Sequence, residues 1–398
     1  MRVLVAAPYF YDSNHKEFAT TPSGFGYMVK DILDAIANQN EVYVFTHQLS
    51  KGYFESYKVV KHTKKDVICS IRFTDIMSGV KDFIKVRTSV NTALHYLYYQ
   101  LDKGAFIKSI KELQPDIVHI HGLTYQTRPF VEACYELNQE FIVTLHGLNG
   151  IGDEIILPQV EKEYEKKCLT ELAENNIPVT VVSSGIKKKI KSYYCINDKN
   201  IKVILNGTKI TMNEKVERRT DTFNIICVGR VCTNKNQTQL VDCVAEMHSK
   251  YKEKIKVIFV GSDSTAESLS TYILNKDVQN LIEYKGFVPR EEMPKLWMQI
   301  DLNVVMSKEE GFGLSMIEGF ANGVPTLTFS DLDAVEDIYN ADSVELFASR
   351  SNEDVILGLV NCINREFDKE KILRWGENFS MIAIGDQYSK FYKEVKGM

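Results

Sequence analysis

The chain has 398 residues, of which 44% are hydrophobic and 25% are charged. This composition excludes a disordered protein and allows two globular domains of about 150 to 200 residues each. The formal net charge of −5 excludes a general nucleic-acid binder, because proteins that follow phosphate backbones carry a basic excess.

Short runs rich in valine and isoleucine alternate along the chain with longer segments of helical periodicity. This alternation is typical of parallel sheets joined by crossover helices. In the first half, a helix with the pattern YMVKDILDAIA follows the first strand. The predicted strands there are RVLVAA (2–7), EVYVFT (41–46), DIVHIH (116–121), FIVTLH (141–146), VTVVSS (179–184) and IKVILN (201–206).

The segment GTKITMNEKVERRTDT (207–222) is polar and lacks apolar periodicity, which predicts a linker and a domain boundary near residue 208. The predicted strands after it are FNIICVG (223–229), IKVIFVG (255–261), LIEYKG (281–286), DLNVVM (301–306), VPTLTF (324–329) and SVELF (343–347). The fold class is therefore α/β, with two doubly wound, Rossmann-like parallel-sheet domains. Such sheets bind ligands at the carboxyl ends of their strands.

Two loops of the first half carry candidate site residues. Ser23-Gly24-Phe25-Gly26 precedes a predicted helix, where glycine lets backbone N–H groups approach an anion. Plain turn chemistry explains the same glycines. His146 ends the strand FIVTLH and precedes Gly147, so we expect it to point out of the sheet edge. A histidine there is either a ligand contact or a structural residue.

Arg230 and Lys235 follow the strand FNIICVG and precede the predicted helix NQTQLVDCVAEM. At the mouth of a strand-to-helix turn, two such cations can clamp a diphosphate. The alternative is a pair of solvated surface cations.

The stretch EEGFGLSMIEGFANGVP (309–325) places Glu310 and Glu318 on either side of a glycine-rich bend. Ser315 and Glu318 fit the capping-box pattern, in which the glutamate reaches back to the serine N–H. Capping leaves Glu310 and the bend unexplained, so a ligand-binding role stays open beside it.

Asp331-Leu-Asp333 resembles an acidic pair that holds Mg²⁺ or Mn²⁺ on a nucleotide-sugar diphosphate. Acids at the start of the predicted helix DAVEDIYN also favour the helix dipole, and we interpret both aspartates as caps. The eight cysteines contain no CxxC pair, so we expect reduced thiols and no zinc site. The N-terminal segment is unlike a signal peptide, and the sequence has no apolar run of about 18 residues. We therefore expect a cytoplasmic protein.

Taken together, these segments resemble the retaining glycosyltransferases of glycosyltransferase family 4, which have the GT-B fold of two facing Rossmann-like domains. The resemblance rests on SGFGYMV (23–29), PDIVHIHG (115–122), VTLHG (143–147), VILNGT (203–208), VGRVCTNK (228–235), KGFVPREEMPKLW (285–297) and EEGFGLSMIEGFANGVP. It implies an acceptor-binding domain over 1–208, a donor-binding domain over 209–378 and a C-terminal helix over 379–398 that returns to the first domain. Ser23-Gly24, Ile204-Leu205 and the stretch around 331–340 depart from the family pattern.

The resemblance also implies roles for the candidate residues. Arg230 and Lys235 would neutralise the donor diphosphate, and the backbone around Gly24 would face its distal phosphate. Glu310 would bind hydroxyls of the transferred sugar, Glu318 would bind the ribose, and His146 would contact the sugar. The backbone N–H groups of the bend would add contacts from Gly311, Phe312, Gly313 and Leu314.

The family implies same-face substitution with a nucleotide-sugar donor, here a UDP-hexose or UDP-N-acetylhexosamine, and a glycan or lipid-linked acceptor. We expect no cofactor, no metal and no nucleic-acid partner. The basic and aromatic segments 51–65 and 187–194 are either contacts with anionic membrane at its inner face or solvated helix faces. The alternative function is a non-catalytic accessory or glycan-binding subunit of the same fold.

Overall fold

A computed structural model describes residues 1–12, 23–47, 57–60, 64–85, 90–151, 159–210, 222–251, 254–263, 265 and 268–397. The chain divides into two compact units. Unit 1 comprises Met1–Asn206 and Met381–Met398, and unit 2 comprises Gly207–Ser380.

Unit 1 is built on a seven-stranded sheet whose paired strands are all parallel, with the order β3-β2-β1-β4-β5-β6-β7. Its central strands are buried along their whole length, because helices cover both faces of a parallel sheet. All five residues of β4 and β5 are buried. The strands are β1 (Arg2–Ala6), β2 (Glu41–Phe45), β3 (Lys58–Val59), β4 (Ile117–His121), β5 (Phe141–Leu145), β6 (Val179–Val181) and β7 (Ile201–Val203).

The first eight helices belong to unit 1. They are α1 (Gly24–Ala37), α2 (Lys64–Ser70), α3 (Phe73–Lys85), α4 (Val90–Leu101), α5 (Lys103–Leu113), α6 (Arg128–Leu137), α7 (Gln159–Glu174) and α8 (Ser184–Tyr194). The start of α1 is fixed by Ser23, whose side-chain oxygen accepts a hydrogen bond of 3.0 Å from the N–H of Gly26. This is an N-cap interaction, and it satisfies a donor that the helix itself leaves without a partner.

Unit 2 is built on a six-stranded parallel sheet with the order β10-β9-β8-β11-β12-β13. Its strands are β8 (Phe223–Val228), β9 (Ile255–Val260), β10 (Ile282–Tyr284), β11 (Leu302–Val304), β12 (Thr326–Thr328) and β13 (Val344–Leu346). Its helices are α9 (Gln237–Tyr251), α10 (Leu269–Asn275), α11 (Met293–Trp297), α12 (Leu314–Ala321), α13 (Val335–Ile338), α14 (Asn352–Ile363) and α15 (Lys369–Gly376). A short 3₁₀ helix, Glu377–Phe379, follows α15.

The last helix, α16 (Met381–Lys396), belongs to unit 1 and packs against α1. The two helices approach closely at Gly385, where an added Cβ would lie 2.7 Å from the carbonyl oxygen of Ala35. Tyr388 and Tyr392 on α16 are almost fully buried. The C-terminal segment thus supplies part of the core of unit 1.

The predicted α/β class with two parallel sheets is confirmed, and every predicted strand is present with shorter ends. The strand β3 was not predicted, because its two residues are too few to show an alternation of apolar and polar side chains. The units separate after Asn206 and after Ser380, where the predicted boundaries were 208 and 378. Most of the predicted linker, residues 211–221, lies outside the described residues.

All eight cysteines are free thiols, and five of them are buried. Among the described residues, no helix is long and apolar enough to cross a bilayer.

Candidate functional site

In unit 2, the predicted cations and Glu310 meet at one edge of the sheet. The strands β8 and β11 are parallel neighbours, so the loops that follow them leave the sheet side by side. Arg230 and Lys235 lie on the first loop and Glu310 lies on the second. Residues separated by 75 positions in the sequence therefore come into direct contact.

The contact joins Lys235 to Glu310. The Nζ atom of Lys235 donates a short hydrogen bond to Oε2 of Glu310, and Ser307 Oγ donates to the same oxygen at 3.0 Å. The two charged side chains are only 25% and 16% exposed, so water screens the ion pair less than at an open surface. Arg230 is exposed, and its guanidinium has no protein partner in the part of the chain that the structure describes.

The glycine bend after Glu310 positions the start of α12. Gly313 is the N-cap residue and has a φ of 78°, in the left-handed region that favours glycine. A Cβ at Gly313 would lie 2.3 Å from Cε of Met316 and 3.1 Å from Cγ of Glu310. Only glycine therefore lets the helix begin this close to the Glu310 side chain.

The predicted capping box does not form. The N-cap of α12 is Gly313, and Ser315 lies inside the first turn, so the interpretation of Ser315 as a cap is wrong. Gly313 has no side chain that could cap this helix. The first backbone N–H groups of an uncapped helix are available to an anion, and the helix dipole adds to their attraction. Glu318 lies half-buried in α12.

The interpretation of Asp331 and Asp333 as helix caps is also wrong. Helix α13 begins at Val335 with Ala334 as its N-cap, so neither aspartate takes the N-cap position. Asp331 is instead paired with Arg350, whose Nη2 lies 2.8 Å from Oδ1 of Asp331. Among the described residues, no group of three or more histidine, cysteine, aspartate or glutamate side chains is arranged to hold a metal ion.

In unit 1, the other two candidates lie close to each other. Gly24 is the first residue of α1, and an added Cβ there would meet no atom of the described residues within 4 Å. The neighbouring Phe25 packs edge-on against the ring of His146, with 5.3 Å between the ring centroids. The open start of α1 and the end of β5 therefore form one edge of this unit.

His146 is not the lone histidine that the sequence suggested. Its Nε2 lies 3.0 Å from Nδ1 of His121, at the end of the neighbouring strand β4, and the two rings stack. Burial lowers the pKa of His146 to about 4, and burial with the nearby His119 and His146 lowers the pKa of His121 well below its usual value. Both rings are therefore neutral at pH 7. The HxH spacing in DIVHIH was the available signal, since residues i and i+2 of a strand share a face.

His119 extends this buried polar group toward the C-terminal helix. Its Nδ1 lies 2.7 Å from the hydroxyl of Tyr392 and its Nε2 lies 2.6 Å from Oγ1 of Thr144. Its pKa is lowered to about 3, mainly by burial. The sheet of unit 1 is thus joined to α16 by hydrogen bonds as well as by apolar packing.

Glu165 on α7 is a further residue that sequence reasoning missed. Its carboxylate accepts hydrogen bonds from the N–H groups of Asn149 and Gly150, at 2.9 and 2.8 Å, and from the hydroxyl of Tyr194 at 2.7 Å. It therefore fixes the loop that follows His146. Burial raises its pKa against the opposing effect of these bonds.

The two basic and aromatic segments are only partly described. Most of 51–65 lies outside the described residues or has no described side chain, and 187–194 is the body of α8. Lys187 and Lys191 of that segment lie 4.0 and 3.7 Å from Asp198, and Tyr193 is 65% exposed. The local ion pairs account for part of this charge, and membrane contact stays a prediction.

Comparison with known proteins identifies both halves of the chain. The family model described as Glycosyltransferase Family 4 matches residues 22–211, and the model described as Glycosyl transferases group 1 matches residues 208–378.

A curated relative, the alpha-monoglucosyldiacylglycerol synthase of Acholeplasma laidlawii, is 21% identical over 64% of this chain and 68% of its own length. Another curated relative is matched over only 24% of its length. Among solved structures, the sucrose-phosphate synthase of Thermosynechococcus elongatus aligns with a TM-score of 0.74 at 14% identity, over 99% of both chains. Anabaena Alr3699/HepE in complex with UDP and glucose aligns with a TM-score of 0.65 at 15% identity, over 99% of this chain and 100% of that chain.

Proposed function

The chain is a glycosyltransferase of the family-4 type with the GT-B fold, and on this premise we propose that it transfers a hexose or N-acetylhexosamine from a UDP-sugar, with retention of configuration. The acceptor in this proposal is a glycan or a lipid-linked molecule, and no metal ion takes part. The observation that carries the proposal is the meeting of Lys235, Glu310 and the uncapped start of α12 at one sheet edge.

Each group at this edge suits one part of a nucleotide-sugar. The exposed guanidinium of Arg230 and the ammonium of Lys235 match the two charges of a diphosphate. The N–H groups from Gly311 to Leu314 lie at a helix start, where phosphate or sugar oxygens are stabilised. The carboxylate of Glu310 can accept hydrogen bonds from sugar hydroxyls, and that of Glu318 can accept them from the ribose.

In unit 1, the groups that the family resemblance assigns to the donor also suit a nucleotide-sugar. The open space at Gly24 lets a phosphate approach the start of α1. The neutral ring of His146 can donate to, or accept from, a sugar hydroxyl without placing a positive charge beside the reaction centre. The closeness of the start of α1 to the end of β5 supports the assignment.

The proposed reaction breaks the bond between C1 of the sugar and the phosphate oxygen, and forms a bond from C1 to the acceptor oxygen on the same face. The departing phosphate oxygen takes the proton of the acceptor hydroxyl. Arg230 and Lys235 stabilise the negative charge that grows on the leaving diphosphate, which is electrostatic catalysis by preorganised groups.

Two relatives support the substrate classes. Alr3699/HepE has a solved structure with UDP and glucose bound, which favours a UDP-hexose donor here. The Acholeplasma laidlawii relative is named for a glucosylated diacylglycerol, which favours a lipid-linked acceptor and a location at the membrane surface.

A nucleotide-release screen across UDP-, GDP-, ADP- and dTDP-sugars tests the donor, with Glu310→Ala as the inactive variant and Glu309→Ala as the matched control. We expect UDP release that Glu310→Ala abolishes and Glu309→Ala retains. Equal release by the wild-type protein and Glu310→Ala would refute the role of Glu310, and binding without release would favour a non-catalytic subunit. The anomeric configuration of the product, read by NMR, tests retention.

Flotation with anionic vesicles at low salt tests the membrane contact. We expect the protein to float with the vesicles, and its absence from the vesicle fraction would count against a location at the membrane surface.

A further inference from the structure

Glu310 lies on a loop whose backbone is held from two sides by residues outside it. The loop Ser307–Glu310 leaves β11 and leads into the glycine bend. Arg350 holds its first half and Asn234 holds its second half. Neither residue belongs to the set that the sequence singled out.

Arg350 follows β13 and joins the ends of three strands. Its Nη1 donates to the carbonyl oxygen of Ser307 at 3.1 Å, on the loop after β11. Its Nη2 and Nε face the two carboxylate oxygens of Asp331, after β12, at 2.8 and 3.4 Å. The guanidinium carbon lies 3.9 Å from the ring centroid of Phe329, which is a stacked cation–π contact.

Asn234 acts on the same loop from the side of β8. Its side-chain oxygen accepts from the N–H of Glu309 at 2.9 Å, and its side-chain N–H donates to the carbonyl oxygen of Glu309 at 3.0 Å. Its own carbonyl oxygen accepts from the N–H of Lys308 at 2.8 Å. The backbone just before Glu310 is thus bonded to the residue just before Lys235.

We propose that Arg350 is a positioning residue for Glu310, acting with Asn234 to fix the loop Ser307–Glu310 whether or not the Lys235–Glu310 pair is closed. The inference rests on the proposed function, in which donor phosphates and sugar hydroxyls compete for the two members of that pair. When the Lys235–Glu310 pair opens, the loop keeps its position only through contacts made by other residues. Arg350 and Asn234 supply those contacts.

The geometry requires arginine. A planar guanidinium can face a carboxylate, donate to a carbonyl and stack on a ring at the same time, and a lysine ammonium cannot. Arg350→Lys therefore keeps the charge and removes the multiple contact.

Arg365 provides a matched control in the same unit. It pairs with Glu345, donates to the carbonyl oxygen of Ala341 at 2.9 Å and stacks on Phe367 at 4.7 Å. Glu345 lies in β13, Ala341 precedes that strand and Phe367 follows α14, so none of these contacts involves the loop that carries Glu310. Arg365→Lys thus removes the same kinds of contact without touching the loop.

The experiment compares Arg350→Lys and Arg365→Lys in thermal stability, backbone amide exchange and donor kinetics. We expect similar melting temperatures, and faster exchange at Lys308 and Glu309 only in Arg350→Lys. We expect kcat/KM for the donor to fall roughly tenfold in Arg350→Lys, about the effect of one lost charge-assisted hydrogen bond, and to stay unchanged in Arg365→Lys.

A double-mutant comparison separates positioning from general destabilisation. In a Glu310→Gln background, Arg350→Lys should cause little further loss, because the residue that it positions is already impaired. Losses that add in full, or equal kinetics for Arg350→Lys and Arg365→Lys, would overturn the proposal.

Two further measurements cover a variant that does not fold and separate the role of Arg350 from the proposed function. Should Arg350→Lys fail to fold, Asp331→Asn weakens the same contact from its other side, and we expect a smaller change in the same direction; an unchanged kcat/KM and unchanged exchange would overturn the proposal. Absence of transfer by the wild-type protein would refute the proposed function, whereas unchanged exchange at Lys308 and Glu309 in Arg350→Lys would refute the role of Arg350.

Discussion

Lys235 and Glu310 form a direct ion pair across the ends of β8 and β11. In the proposed function, the ammonium must serve a diphosphate and the carboxylate must serve a sugar. Each partner of the pair therefore competes with a part of the donor.

We expect Glu310→Gln to bind free UDP about tenfold more tightly than the wild-type protein, while transferring sugar more slowly. The amide removes the charge that holds Lys235, and a charge-assisted hydrogen bond is worth about 1.5–3 kcal/mol. Calorimetric titration with UDP measures the change. Glu309→Gln is the control, because this substitution removes the same charge from an exposed side chain beside the site. An equal gain in affinity for UDP in both variants would show that net charge alone causes the effect.

Arg230→Ala should lower kcat by on the order of 10²-fold, the usual cost of losing one group that stabilises developing negative charge. Its melting temperature should not change, because the side chain is exposed and has no protein partner among the described residues. Steady-state kinetics and a thermal melt measure both quantities. Lys254→Ala removes an exposed cation at the opposite edge of the same sheet and should leave kcat unchanged. A full rate in Arg230→Ala would exclude Arg230 from the donor site.

Gly24→Ala should raise the KM for the donor by roughly tenfold, about 1.4 kcal/mol of lost binding, without loss of stability. The added methyl group meets no atom of the described residues, so a ligand close to the helix start is what it would obstruct. Ser23→Ala should show the opposite pattern, a stability loss of about 1 kcal/mol from the missing N-cap with little change in KM. Unchanged KM in Gly24→Ala would place the phosphate elsewhere.

Unit 1 should lose stability as the pH falls from about 6.5 toward 4. Burial lowers the pKa of His146 to about 4 and that of His119 to about 3 in the folded chain, both below the usual histidine pKa of about 6.5. The unfolded chain therefore binds protons in this window before the folded chain does, and the free energy of unfolding decreases. Amide exchange in β4 and β5 measures the effect, and replacing His119 by asparagine should reduce it. If the free energy of opening measured by amide exchange in these strands did not change with pH, the prediction would be contradicted.

Activity should be the same with and without EDTA. The proposal of a metal-independent reaction is supported by the pairing of the Asp331 carboxylate with Arg350. Loss of transfer in EDTA, with recovery on addition of Mn²⁺, would contradict it. The Asp331→Asn variant should then be assayed with and without EDTA. If Asp331 were a ligand of the metal ion, the substitution and EDTA would cause the same loss of transfer, and the two effects would not add.

Much of the fold could be predicted from local patterns. Continuous Val- and Ile-rich runs predicted the parallel strands, and the helical segments between them predicted the crossovers. The short strand β3 had no such pattern, and the ends of the strands depended on contacts that a single sequence does not reveal. The cap predicted at Ser315 failed because α12 already begins after Gly313, and the one at Asp331 failed because α13 begins at Val335 and the Asp331 carboxylate pairs with Arg350.

The sequence by itself determined which groups are present at the candidate site: two cations after one strand, and two glutamates around a glycine bend after another. Only the tertiary structure decided that Lys235 meets Glu310, that Arg350 takes Asp331 and holds the Glu310 loop, and that His146 is paired with His121. The physical reason is strand order. Loops become neighbours when their strands pair in a sheet, and that pairing is set by packing over the whole unit, independently of the spacing between residues along the chain.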